Sequence, residues 1–398
     1  MNIQSSNPKA KNIDSPLFKA ALFSISATTV LGSTIIAPSL PALESHFSDA
    51  KNIELLSKLI LTLPALFIMI FSPISGFMLE KFGRLKLIYP AIIIWSLAGV
   101  SGFFLDNLYL LLASRAVFGT ATAFLMTGVG VLLGDYYTGV KREKVLSMQG
   151  FFMAFGGTIF LILGGYLSNL DWRYPFLAYL LGFLILFLAL AMLFEPKHHL
   201  DTTNHIQKSK KANIIKFIPV YLLAFFSMAM FYVAPTQLPF FITHTLGMES
   251  SYVGVSMAVA SISMAIFSLF YNRLRNYLNI FKIYFIGLFL IAISFTIIAV
   301  FHNYIAVLIT FILMGAGLGF IIVNNSSWLF MLAKDFERAK AYGFLTAFLF
   351  TGQFISPLIS QPIVNAFGMI GMFYIFGGML YIVALIFLFT KMKQNNPN

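Results

Sequence analysis

The sequence predicts an all-α membrane protein: twelve transmembrane helices in two pseudo-symmetric six-helix bundles, with both termini cytoplasmic. Three observations carry this expectation. The first is composition. Of 398 residues, 59% are apolar and 10% charged, against about a quarter charged in an average soluble chain. A helical span takes ~20 apolar residues, so the apolar fraction suffices for about twelve. The second observation is where the basic residues fall, and the third is internal similarity at one fixed offset. A soluble enzyme, a disordered chain and a nucleic-acid binder fit poorly. The absence of cysteine excludes a disulfide framework and thiol chemistry.

The chain opens on a polar stretch, residues 1–16, with Lys9, Lys11 and Asp14. It reads as a cytoplasmic tail before an uncleaved helix, not as a signal peptide. Six spans follow at 17–41, 53–80, 87–105, 108–134, 145–167 and 172–195. Six more lie at 214–243, 250–272, 282–301, 304–333, 339–366 and 369–390. Stretches such as 87–105 and 283–301 contain no ionised side chain. Helix is required there, because lipid offers the backbone no partner outside its own segment. Short breaks at Asp106-Asn107 and His302-Asn303 cut two long apolar runs into hairpins.

With the N-terminus inside, the cytoplasmic segments hold 22 of the 26 basic residues. The outer loops hold Lys51, Lys58 and Arg173, which leaves Arg115 inside a span. Acidic residues divide 8 inside to 6 outside, so the bias lies in Lys and Arg. The formal charge of +12 is therefore a topology signal. Nucleic acid is not an expected partner.

The least apolar internal stretch, around 195–211, falls between spans six and seven. The chain divides there into bundles at 17–195 and 214–391, joined by a linker at 196–213 and followed by a tail at 392–398. Pro38 and Pro235 are 197 residues apart, and Gly119 and Gly315 are 196 apart, as are Arg142 and Arg338. Matches at one offset and equivalent positions mark two related halves. Repeats around a midplane site are a transporter architecture.

The loop after span two reads Gly76-Phe77-Met78-Leu79-Glu80-Lys81-Phe82-Gly83-Arg84-Leu85-Lys86. Gly76 permits close helix packing and Gly83 a tight turn. Glu80, Arg84 and Lys86 can pair or meet helix ends at the cytoplasmic face. The loop resembles the signature of the major facilitator superfamily, with Glu80 in place of the usual aspartate. Arg115-Ala116-Val117-Phe118-Gly119, Asp135 followed by Arg142, and Asp171-Trp172-Arg173-Tyr174-Pro175-Phe176 extend the likeness. So do Pro235-Thr236-Gln237-Leu238-Pro239, Gly315-Ala316-Gly317-Leu318-Gly319 and Gly352-Gln353-Phe354-Ile355-Ser356-Pro357. Together they resemble the twelve-helix drug:proton antiporter branch.

The resemblance implies the major facilitator fold, alternating access, proton coupling and a chain working as a monomer in a bacterial inner membrane. It implies that Arg115 serves coupling. It further implies a latch in which Glu80 meets the start of helix eleven and Arg84 pairs with Asp135. One departure stands out. Phe160 and Leu161 occupy the positions of a Gly-Pro pair usual in helix five, although Gly164-Gly165 is retained.

An ionised group within a span is costly and marks function by default. Arg115 is the clear case here, and either snorkels to the outer interface or serves binding or coupling. No carboxylate falls near the midplane. Glu54, at the outer entrance of helix two, is the nearest coupling candidate, and His244 is weaker. Neutral polar residues point to a cavity: Thr34 in helix one, Tyr232 and Gln237 in seven, Asn324, Asn325 and Trp328 in ten, and Gln353 in eleven. The amides can equally serve as hydrogen-bonding glue between helices.

The expected function is secondary active transport of a small amphipathic molecule, such as a drug, metabolite or metallophore, with efflux in exchange for protons. Arg115 without a midplane acid leans toward a neutral or anionic cargo. The alternative is an importer or facilitator of a small neutral or anionic metabolite or siderophore. A membrane enzyme or scaffold is a third reading, but no ATP-binding loop, H-E-x-x-H or G-x-S-x-G occurs. No cofactor or metal is expected.

Overall fold

The computed structural model describes residues 12–196, 214–334 and 337–389. The linker from residue 197 to 213, the 392–398 tail and the first eleven residues therefore lie outside the described residues. Among those described there is no strand. Eleven helical stretches are long and apolar enough to cross a bilayer. The last, Lys340–Phe389, runs 50 residues. At 1.5 Å per residue that is roughly 75 Å, over twice the ~30 Å hydrocarbon core. It breaks at Gly368, whose φ of 70° and ψ of 171° interrupt the helix, so it supplies the length of two crossings.

The first half contains α1 (Pro16–Thr34), α2 (Ile53–Phe82), α3 (Arg84–Phe104), α4 (Leu108–Tyr136), α5 (Gly139–Leu170) and α6 (Leu181–Met192). The second contains α7 (Ile218–Phe240), α8 (Ser250–Arg275), α9 (Ile280–Val300), α10 (Tyr304–Leu332), and α11 and α12 on either side of Gly368 within Arg338–Phe389. The ends are called outer and cytoplasmic after the loop charges.

The first span is shorter than hydropathy predicts. After Thr34 it passes through a tight turn, Ala37–Ser39, into a short helix, Leu40–His46, because Pro38 and Pro41 have no N–H to continue the ladder. Span six starts with a 3-10 segment, Tyr174–Leu180, and span seven ends in a wide π-helical turn, Phe241–Thr245. The two predicted breaks are helix starts with a mechanism. Asn107 Oδ1 accepts from the amides of Tyr109 and Leu110, and Asn303 Oδ1 from that of Ala306. Each is an N-cap satisfying orphan donors.

The two halves repeat their tight crossings. A Cβ on Gly119 of α4 would sit 2.6 Å from the Pro64 carbonyl oxygen of α2, and one on Gly315 of α10 would sit 2.3 Å from that of Ala260 in α8. Likewise Gly164 of α5 lies against Ile35 just past α1, and Gly352 of α11 lies against Phe225 of α7, each with only 2.3 Å to a carbonyl oxygen. The offset in the sequence thus corresponds to equivalent helix pairs. Gly76 differs from expectation: its Cβ would meet only Thr127, at 3.8 Å, so it is not a close-packing position.

Candidate functional site

A cavity of about 70 Å³ lies between the two bundles. Thr34 of α1, Leu61 of α2 and Leu161 of α5 contribute from the first half; Tyr232 of α7, Ser261 of α8 and Phe311 of α10 contribute from the second. No Asp, Glu, His, Lys or Arg is in its lining. The volume is well below the ~300–1,000 Å³ of drug-sized sites. Leu161, one of the residues replacing Gly-Pro, is part of its wall.

Above it the outer ends close on one another. Lys58, the sixth residue of α2, is only 3% exposed. The sequence reading counts it among outer-loop residues although it falls within span 53–80; the structure buries it, because the outer end of α2 packs against Phe240 of α7 and Gln361 of α11. Its ammonium donates to Gln361 Oε1 of α11 and lies 4.5 Å from the centre of the Phe240 ring of α7. Gln361 Nε2 in turn donates to Glu54 Oε2 at 2.9 Å. One amide from the second bundle therefore sits between the cation and anion of an i, i+4 pair on the first. Gln237 is buried beside it and donates to Ser360 Oγ at 2.9 Å and Gln361 Oε1 at 3.4 Å. Of this cluster the sequence singled out Glu54, as a coupling candidate, and Gln237, as a cavity candidate; it did not reveal that they meet Lys58 and Gln361.

Helices α5 and α8 complete the closure. A Cβ on Gly254 would lie 2.4 Å from the Leu161 carbonyl oxygen and 3.0 Å from Gly165 Cα. Nearby, Asn169 bonds Glu249 Oε2 at 2.8 Å and the Ser251 amide at 3.0 Å. Further in, Thr351 Oγ1 of α11 meets Met69 Sδ of α2 at 2.8 Å. Toward the cytoplasm Ile74 and Phe77 of α2 are exposed, as are Tyr342 and Phe344 of α11. The contacts between the bundles through Lys58, Gln361, Gly254 and Asn169 lie in their outer halves.

At the cytoplasmic end Gly83 adopts φ 101°, which only glycine takes without strain. The Glu195 carboxylate accepts from the amides of Arg84 at 2.6 Å and Leu85 at 2.8 Å. It thereby fills the positive N-terminus of α3, a role the sequence did not reveal. Arg84 Nε donates to Asp135 Oδ2 at 2.9 Å. Arg142 is exposed and lies over Gly134, and Lys86 is exposed as well. Glu80 is exposed and makes no hydrogen bond or ion pair among the described residues.

Arg115 is fully buried within the first bundle, not in the cavity wall. One terminal nitrogen donates to the carbonyls of Ala98 at 2.6 Å and Gly99 at 3.0 Å. The rings of Phe118, Phe176 and Tyr179 enclose the guanidinium at 4.8–5.4 Å, and the other terminal nitrogen makes no hydrogen bond among the described residues. The snorkelling expectation fails here. The case for an anionic cargo fails with it, because this charge faces neighbouring helices. Asn324 and Asn325 also turn away from the cavity. Asn324 Oδ1 accepts from Tyr271 at 3.0 Å and its Nδ2 donates to the Ile280 carbonyl at 3.0 Å; Asn325 accepts from Tyr284 at 2.6 Å. They join α10 to α8 and α9, with Trp328 packed against Phe281 and Tyr284. Gln353 is buried on α11, outside the cavity lining. Of the cavity candidates, Thr34 and Tyr232 reach the wall.

This chain is similar to proteins of known kind. It is 24% identical over 301 residues to multidrug resistance protein 1 of Bacillus subtilis (strain 168), covering 73% of this chain and 76% of that protein. It is 25% identical over 242 residues to the class B tetracycline resistance protein of Escherichia coli, covering 59% and 60%. Its fold superposes on the crystal structure of a D-xylose-proton symporter with a TM-score of 0.76, at 16% identity, covering 96% and 99% of the two chains. The profile of the Major Facilitator Superfamily matches residues 22–233 and 220–398. The two matches overlap within α7 and together span nearly the whole chain, so the chain belongs to the Major Facilitator Superfamily, a family of membrane transporters.

Proposed function

We propose that this transporter exports a small, uncharged amphipathic molecule in exchange for protons, working as a monomer in a bacterial cytoplasmic membrane with both termini inside. The observation that carries this reading is the charge-free, apolar and aromatic cavity between the bundles. A wall of Phe231, Tyr232, Met257 and Phe311 suits varied hydrophobic cargo. The likeness to multidrug and tetracycline resistance proteins supports the export direction.

In this account the outer-closed arrangement alternates with an outer-open one. Glu80 then meets the start of α11, while the Arg84–Asp135 pair holds α3 to α4. Glu54 is the coupling candidate at the outer gate. Arg115 acts through position, tying α3, α4 and the turn before α6 together. An importer or facilitator of a neutral metabolite or siderophore is the second reading. It is favoured by Phe160 and Leu161 at the Gly-Pro positions and by the lack of an acid in the cavity wall. Inverted and right-side-out vesicles, each with and without a pH gradient, separate the two. Export predicts gradient-driven accumulation in inverted vesicles; import predicts it in right-side-out ones.

A further inference from the structure

We infer that Lys58 is the positioning residue of the outer gate: a cation carried by α2 that must leave Gln361 and Phe240 each time the outer face opens. An ammonium taken out of water is expensive unless paired and hydrogen-bonded. Lys58 is buried at 3% exposure, and its direct contacts, the Gln361 amide oxygen and the Phe240 face, both belong to the other bundle. The charged groups around it are Glu54 on its own helix and Glu44 on the short helix before it, with His244 of the second bundle beside Glu44. Glu54 does not hold the ammonium directly. It holds the Gln361 amide, and so aims the oxygen of that amide at Lys58. When the bundles part, Gln361 and Phe240 depart together, and Lys58 gains water and its i+4 neighbour Glu54. The closed gate thus rests on balancing one desolvated charge, and small changes on either side of the contact move the equilibrium in opposite directions.

Leu61, one turn inward on the same helix, belongs to the cavity wall. Lys58 therefore roofs the cavity, and its movement decides access from outside. The inference depends on the alternating motion of the two bundles and needs no knowledge of the cargo.

The test uses the full-length purified protein without substrate. The natural chain has no cysteine, so Tyr109→Cys and Ile305→Cys, exposed near the outer ends of α4 and α10, can carry spin labels for distance measurement. Gln361→Leu leaves the ammonium buried without its acceptor. That is expected to raise the open-to-closed ratio at the outer face roughly tenfold. Phe240→Leu should move it the same way by less. Lys58→Met keeps the stem and removes the desolvation cost, so it is expected to favour the closed face. In the Lys58→Met background, Gln361→Leu should lose its effect. Each variant is checked for a monodisperse fold, and the Phe240→Leu and Lys58→Met arms stand by themselves if Gln361→Leu misfolds. Wild-type distances in both Gln361→Leu and Phe240→Leu would overturn the inference. So would Lys58→Met opening the outer face, or Gln361→Leu keeping its full effect without Lys58.

Discussion

Two buried cations, Lys58 and Arg115, are stabilised in opposite ways. Arg115 is held inside one rigid bundle by helix carbonyls and three aromatic faces; Lys58 is held across a movable boundary. The sequence exposed Arg115, which lies deep in an apolar run. It concealed Lys58, because a charge five residues past a helix start looks like loop. It also could not tell which face of a helix an amide occupies, so Asn324 and Asn325 read as cavity lining when they hydrogen-bond to neighbouring helices. For Arg115, volume matters more than charge, since its carbonyl acceptors already belong to a helix. Arg115→Ala should therefore destabilise the chain by about 3–5 kcal/mol, in the range of large-to-small core changes. Arg115→Met should cost about 1 kcal/mol or less, as a volume-conserving change. Thermal unfolding in detergent checks this; equal losses would show that the charge itself dominates.

At the scale of elements, caps and crossings decide behaviour. Hydropathy located the helices, and the breaks at Asp106-Asn107 and His302-Asn303 marked two helix starts; that the asparagines cap them came from the structure. The prolines that end α1 early were in view, but a summed apolar run hides them. Glu195 is a capping group supplied from over a hundred residues away, so nothing local announced it. Glu195→Gln should destabilise the α3 start by about 1 kcal/mol, read as a lower Tm, while Glu195→Asp restores part of it. The α3–α4 turn is pinned by Asp106, which accepts from His46 at 2.6 Å and Arg173 at 2.7 Å. The His46 hydrogen bond, aided by Arg173, holds the Asp106 carboxyl below its ordinary value of 3.8. A carboxylate lowered on folding contributes stability above its unfolded value and loses it as pH falls through the folded one. Asp106→Asn should thus lower Tm at pH 7 and at pH 5, and the difference should fade below pH 3.8. A gap that persists in stronger acid would contradict it. The two kinds of crossing also separate. Gly315→Val obstructs contact within a bundle and should impair folding. Gly254→Val obstructs contact between bundles, so the chain should fold but expose its outer face to thiol reagents at cysteines introduced there.

At the scale of the whole molecule, the low charged fraction, the loop bias and the repeated offset gave the fold class. The structure explains why they could: Gly119 and Gly315 make the same crossing in each half, so the repeat is one packing solution used twice. The cargo was far less legible, because a chain with 45 phenylalanines places aromatic rings at any lining position. What the structure adds is a cavity without charge and a closed outer face. Both belong to a transporter whose bundles alternate, and the central claim is that this alternation moves an uncharged amphiphile against protons. The most direct measurement is flux of tetracycline and a neutral fluorescent amphiphile in proteoliposomes under an imposed pH gradient. The account predicts movement opposite to the proton flow, abolished by a protonophore and reduced at least tenfold by Gly254→Val. Flux that ignores the gradient in both polarities, or that runs with the protons, would contradict it.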